Sequence, residues 1–240
     1  MKKLNSENLI RCFTNLLLAV LIVTVFSVAF LPLGVPTASI VSPSPYYKGN
    51  ESKKQVSLMF NVYENSAVVK GIVDTLDSYG AKATFFVGGC WADDNEVLLK
   101  EMVSKGYEIG NHGYFHKDHA KIDYQKNYDE IFLTESVVLA FCGAKTTLFA
   151  PPSGSFSSDT LLACANLGYK VIMWSKDTID WRDKDSNLVF TRSTKNLQNG
   201  DLVLMHPKEH TLKALPEILS YYNSRGFSVV TVSENLEGAV

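Results

Sequence analysis

The sequence predicts an α/β fold of repeated helix-to-strand units, and three patterns carry that expectation. Helix-like stretches end in glycine and run straight into apolar, β-prone segments: Gly80 before ATFFV, Gly106 before YEIGN, Gly143 before TTLFA, Gly168 before YKVIMW, Gly200 before DLVLM and Gly226 before FSVVTV. Glycine suits the left-handed residue that closes a helix, so each junction reads as the αβ half of a βαβ unit. The helical stretches also carry one apolar face each: Val68, Val69, Ile72, Val73 and Leu76, then Val97, Leu98 and Met102, then Ile131, Val138 and Leu139. Finally, with VSLMF at 56–60 as the first, seven strand-like segments alternate with about six helices. Such an alternation closes as a doubly wound sheet or as a barrel, and periodicity does not choose between them.

In chain order, residues 1–35 come first. Lys2, Lys3 and Arg11 precede the uncharged run LLLAVLIVTVFSVAFL at 16–31. A signal peptide has an apolar core of about 7 to 15 residues and a spanning helix needs about 20, so the run reads as a signal peptide or a signal-anchor. Its extension through Val35 favours the uncleaved anchor. Basic residues ahead of the run keep the tip cytoplasmic and send the rest across. The membrane is therefore an expected partner. The expected location is a single-pass cell-membrane protein with an extracytoplasmic domain, or a secreted one if the segment is cut.

Residues 36–55, rich in proline, serine and charge, read as a linker. Residues 56–240 read as one domain of about 190 residues, within the single-domain range. Lys plus Arg total 23 against 25 for Asp plus Glu, a net charge of −2, which argues against nucleic acid as a partner. Cys12, Cys90, Cys142 and Cys164 show no paired spacing, and the last three read as small buried hydrophobes rather than a disulfide framework.

In parallel α/β folds, ligands gather beyond the C-terminal strand ends, and the polar residues here fall there. Asn61 and Glu64 follow the first strand, Trp91 the second, Asn111, His112 and His116 the third, and Pro151, Pro152 and Ser153 the fourth. Asp177, Asp180 and Trp181 follow the fifth, and His206 the sixth. The four-residue spacing of His112 and His116 lets two imidazoles converge on one cation, with a third ligand still to be found. His206 fits a proton donor to a leaving amine. Asp180 beside Trp181 suggests an orienting carboxylate on an aromatic wall, although a helix N-cap is the ordinary role for Asp177 or Asp180. His119, in KDHAK, reads as the solvated rim of a polar loop, and His210, Asp93 and Asp94 as helix-start or surface groups.

The segments SLMFN at 57–61, ATFFVGG at 83–89, EIGNHGYFH at 108–116, FAPPSG at 149–154, DTIDW at 177–181 and LVLMH at 202–206 stand in a specific order. Together they resemble the NodB-homology polysaccharide deacetylases, carbohydrate esterase family four, including the sporulation-associated branch, from about Val56 to about Val232. The resemblance implies a distorted (β/α) barrel of about seven parallel strands. It implies hydrolysis of N-acetyl groups from N-acetylglucosamine or N-acetylmuramic acid units of a cell-wall glycan, in peptidoglycan or a chitin-like polymer. A divalent metal, Zn2+ as a rule, is implied with His112 and His116 as two ligands, and His206 as the acid beside Asp180. Trp181, Pro151, Pro152 and Tyr114, with Trp91, are the implied sugar contacts.

This chain departs from the pattern in a coupled way. The first motif normally supplies two aspartates, base and then metal ligand, and Asn61 and Val62 stand here. The arginine that pairs with the base is replaced by Ala150, and Ser153 stands where an aromatic residue is common. Without the base, that arginine would be an unpaired buried charge, so the losses agree. The favoured reading is a deacetylase-like hydrolase with an altered site, Glu64 or water replacing the missing ligand, because His112, His116, Asp180 and His206 stay in register. A non-catalytic glycan-binding domain is the alternative, and a metal-free amidohydrolase ranks third.

Overall fold

The computed structural model describes residues 6–30 and 44–239. The chain divides into two compact units, residues 1–41 and 42–240. The first contains helix α1 (Ser6–Phe30). Among the described residues no helix is long and apolar enough to cross a membrane, so the described part of the expected spanning segment gives it no support. The apolar part of α1, Leu16 to Phe30, rises about 22 Å at 1.5 Å per residue, short of a hydrocarbon core of about 30 Å. Residues 31–35, on which the longer span depends, lie outside the described residues, as do 36–43 of the expected linker.

The second unit runs β1 (Gln55–Val62), α2 (Ser66–Ser78), β2 (Thr84–Val87), α3 (Gly89–Asp94), α4 (Glu96–Ser104), β3 (Glu108–Asn111) and α5 (Tyr124–Cys142). It continues β4 (Leu148–Phe149), α6 (Ser158–Leu167), β5 (Lys170–Val171), β6 (Lys176–Asp177), α7 (Ser186–Thr194), β7 (Asp201–Met205), α8 (Glu209–Ser224), β8 (Ser228–Val229) and α9 (Val232–Leu236). The six junction glycines all adopt the left-handed conformation, with φ between 61° and 77°. Every strand pairs in parallel, in the order β5-β4-β3-β2-β1-β7-β6, with β8 seated on the base of β1. The expected seven-strand parallel barrel is thus present as a curled half-barrel, with the short β6 added.

The seam of the half-barrel lies between β5 and β6, which only Ile172–Ser175 separate in sequence. Tyr46–Lys48 fills it: the Tyr46 amide donates to Val171 O at 2.8 Å, the Met173 amide donates to Tyr46 O at 2.8 Å, and Lys48 makes an antiparallel bridge to Asp201. These residues read as linker in the sequence, since three residues flanked by prolines and charges show no strand period.

Alternation along β1 decides what reaches the site. Val56, Leu58, Phe60 and Val62 pack outward with Ile72 and Leu76 of α2 and with Leu215 and Ile218 of α8. Met59 joins Phe86, Leu148, Ile172 and Leu202 in a separate inner cluster. The two-residue period therefore puts Asn61 on the concave face and turns Val62 into the helix layer. All four cysteines are unpaired; Cys164 is buried, and Cys90 and Cys142 are half-buried.

Candidate functional site

A cavity of about 280 Å³ opens at the C-terminal strand ends, lined by Asn61, Tyr63, His112, His116, Ser153, Gly154, Trp174, Asp177, Trp181, Leu204 and His206. Of the residues singled out in the sequence, it gathers Asn61, His112, His116, Trp181 and His206, with Asp180 directly behind His206. Pro151 and Pro152 are buried and absent from its wall, because the 3-10 turn Pro152–Gly154 presents Ser153, at φ 56°, and Gly154 instead. Tyr114 is turned away, its hydroxyl donating to Asp93 Oδ2 at 2.9 Å. Trp91 is 5% exposed and its indole donates to Ser66 Oγ, so it is core rather than groove.

The histidine pair is held from behind. His112 is 1% exposed, and its Nδ1–H donates to Ala150 O at 2.7 Å, which leaves Nε2 as the acceptor. Burial, and then the neighbouring His116, push its pKa well below the ordinary histidine value. His116 sits at φ 54°, its ring centroid 5.0 Å from that of His112 and 4.3 Å from that of Tyr63. Burial lowers its pKa too. Both rings are neutral at neutral pH, the form that donates a lone pair.

His206 and Asp180 form the second element. His206 Nδ1–H donates to Asp180 Oδ1 at 2.7 Å, while the His206 amide and the Thr211 hydroxyl both reach Oδ2 at 2.7 Å. Burial would raise the Asp180 pKa, but the hydrogen bonds from His206 and Thr211 outweigh it and the carboxyl is held below its ordinary value. His210, read in the sequence as a surface group, donates Nε2–H to Asp180 O at 2.8 Å and braces the same turn. The pair fixes the His206 tautomer and orients the ring, the arrangement a proton-transferring imidazole requires.

The donors do not fit a catalytic zinc, which takes three protein ligands. Val62 packs in the helix layer and offers no donor. Glu64, the substitute considered from the sequence, is ion-paired with Lys208. Among the described residues, no group of three or more His, Cys, Asp or Glu side chains is placed to hold a metal ion. Asn61, 3% exposed, leaves its Oδ1 buried without a hydrogen-bond partner.

His119 is not a solvated rim residue. It is fully buried, its Nδ1–H donating to Asn127 Oδ1 at 2.7 Å, and its Nε2 faces Gly113, where a Cβ would lie 2.8 Å away. Tyr63, Trp174 and Asp177 line the cavity as well. Tyr63 and Asp177 stand at the strand ends, where the sequence places the site without giving either a role in it, while Trp174 reads as part of its apolar strand.

The family described as polysaccharide deacetylase matches residues 48–172, more than half of the chain. The chain belongs to the polysaccharide deacetylase family. Its relatives include the uncharacterized protein YlxY of Bacillus subtilis, 32% identical over 197 residues, covering 82% of this chain and 62% of YlxY. The peptidoglycan-N-acetylglucosamine deacetylase PgdA of Listeria monocytogenes is 31% identical over 201 residues, covering 83% of this chain and 42% of PgdA. The chain therefore spans less than two thirds of either relative. Among solved structures, BA3943 of Bacillus anthracis, a CE4 family pseudoenzyme, superposes with a TM-score of 0.79 at 32% identity, covering 82% of this chain and 70% of BA3943.

Proposed function

We propose that the domain is a glycan-recognition module on the deacetylase fold, holding cell-wall polysaccharide in the cavity without appreciable release of acetate. The observation that carries this reading is the end of β1, which presents the Asn61 amide to the cavity and turns Val62 into the core, at the two positions where the family resemblance leads one to expect base and metal ligand. An amide cannot take a proton from water, and general-base help is worth about 10² to 10⁴ in rate. The implied metal lacks its third protein ligand as well, so the two losses compound. Similarity to a CE4 pseudoenzyme supports reduced turnover. Similarity to PgdA, named for peptidoglycan N-acetylglucosamine, supports a cell-wall glycan as the ligand. An extracytoplasmic location, membrane-held or secreted, belongs to the same proposal, since such glycans lie outside the membrane.

A second reading, a slow deacetylase, is favoured by one observation: the His206–Asp180 pair keeps the geometry of a proton donor. The deciding experiment measures acetate release by the full-length protein from N-acetylated chitooligosaccharides and peptidoglycan fragments, with and without zinc or cobalt, beside His206→Ala. No release together with retained glycan binding is the expected result. Metal-dependent release that His206→Ala lacks would overturn it in favour of the slow enzyme.

A further inference from the structure

The cavity is a floor of acceptors under aromatic walls. Asn61 Oδ1 is buried without a partner. His112 Nε2 is an acceptor once Nδ1–H is committed to Ala150 O. Asp177 is the one carboxylate on the cavity lining. One of its oxygens takes the Ile179 amide at 2.7 Å, and the other has no hydrogen-bond partner among the described residues. Tyr63, Trp174 and Trp181 bring aromatic rings to the same space. Lys208 is paired with Glu64 and Arg192 with Asp183, while Arg182 pairs with Asp183, feels the charge of Asp177 and lies 5.9 Å from the centroid of the Trp181 ring.

A ligand that brings donors and positive charge matches the unpartnered Asn61 Oδ1, His112 Nε2 and second Asp177 oxygen. An N-acetyl group offers these acceptors one N–H; a free amino group on the same sugar is an ammonium with three donors. Aromatic faces favour a cation over a neutral amide, and a carboxylate strengthens the hydrogen bond it accepts. We propose that the cavity selects the cationic, N-deacetylated glucosamine unit of a cell-wall glycan. This deepens the glycan-recognition reading and rests on it. The ligand is the product of amide hydrolysis on an N-acetylated polymer, so this chain reads what a deacetylase leaves behind.

The test is calorimetric titration of the full-length protein with the β-1,4-linked tetramer of glucosamine and, separately, of N-acetylglucosamine, at neutral pH. The expected result is binding of the glucosamine tetramer tighter by on the order of tenfold. Asp177→Asn, which still accepts the Ile179 amide, is expected to abolish that preference by weakening binding of the glucosamine tetramer more than that of the N-acetylated tetramer. Equal or tighter binding of the N-acetylated tetramer overturns this inference but leaves glycan recognition standing. A preference that persists in Asp177→Asn overturns it too, since charge elsewhere would then be responsible. Binding of neither tetramer overturns both readings.

Discussion

Ile179 sits at φ 53°, a backbone conformation that a β-branched side chain resists, and the strain lies between the carboxylates of Asp177 and Asp180. Its amide is held by Asp177, and the next residue, Asp180, receives His206 and Thr211. His116 and Ser153, at φ 54° and 56°, place the same kind of strain on the cavity wall. Buried histidines add a pH dependence. Burial lowers the pKa of His119, as it does for His112 and His116, so the folded state keeps them neutral where the unfolded chain takes up protons. Stability is therefore complete above the unfolded histidine pKa of about 6.5 and falls as pH drops below it. His119→Gln keeps a donor for Asn127 but cannot titrate, so urea denaturation at a series of pH values should show a shallower loss below that point. An unchanged slope would mean that His119 does not contribute to it.

The elements were readable in the sequence wherever a period or a glycine marked them. The left-handed glycines other than Gly200 follow their helices as expected, whereas α7 ends at Thr194 and Gly200 closes a later turn. The apolar face of α2 packs inward, and so do Met102 of α4 and Ile131 and Val138 of α5, but Val97 and Leu139 are exposed. β6 and the Tyr46–Lys48 bridge were not readable, because a two- or three-residue strand has no period and is defined only by its neighbours. The site followed the same rule. His112, His116 and His206 were visible as polar residues ending apolar strands. The inward aim of Tyr63, Trp174 and Asp177 depends on strand register, which the chain does not spell out. Register also makes Gly110 indispensable to β3: a Cβ there would lie 2.4 Å from Phe86 Cδ1, inside the concave core. Gly110→Ala should cost about 1–3 kcal/mol in urea unfolding through overpacking. A neutral effect would show that Phe86 has room to move.

At the scale of the molecule, a half-barrel is stable only if its open seam is covered, and here backbone from outside the βα repeat covers it. Tyr46→Pro removes the amide that donates to Val171 O, whereas Tyr46→Ala removes only the ring. The proline variant should be less stable than the alanine variant by about 1 kcal/mol, the net worth of a backbone hydrogen bond, as read from urea midpoints. Equal midpoints would assign the seam to side-chain packing alone. The stitch also has a mechanical meaning. A pull arriving through residue 44 is borne first by the bonds at Tyr46 and the bridge at Lys48, before it reaches any helix. Tyr46 packs in the same cluster as Trp174, and Trp174 is a cavity wall. The stretch that bears such a load and one wall of the cavity therefore share a single packing cluster.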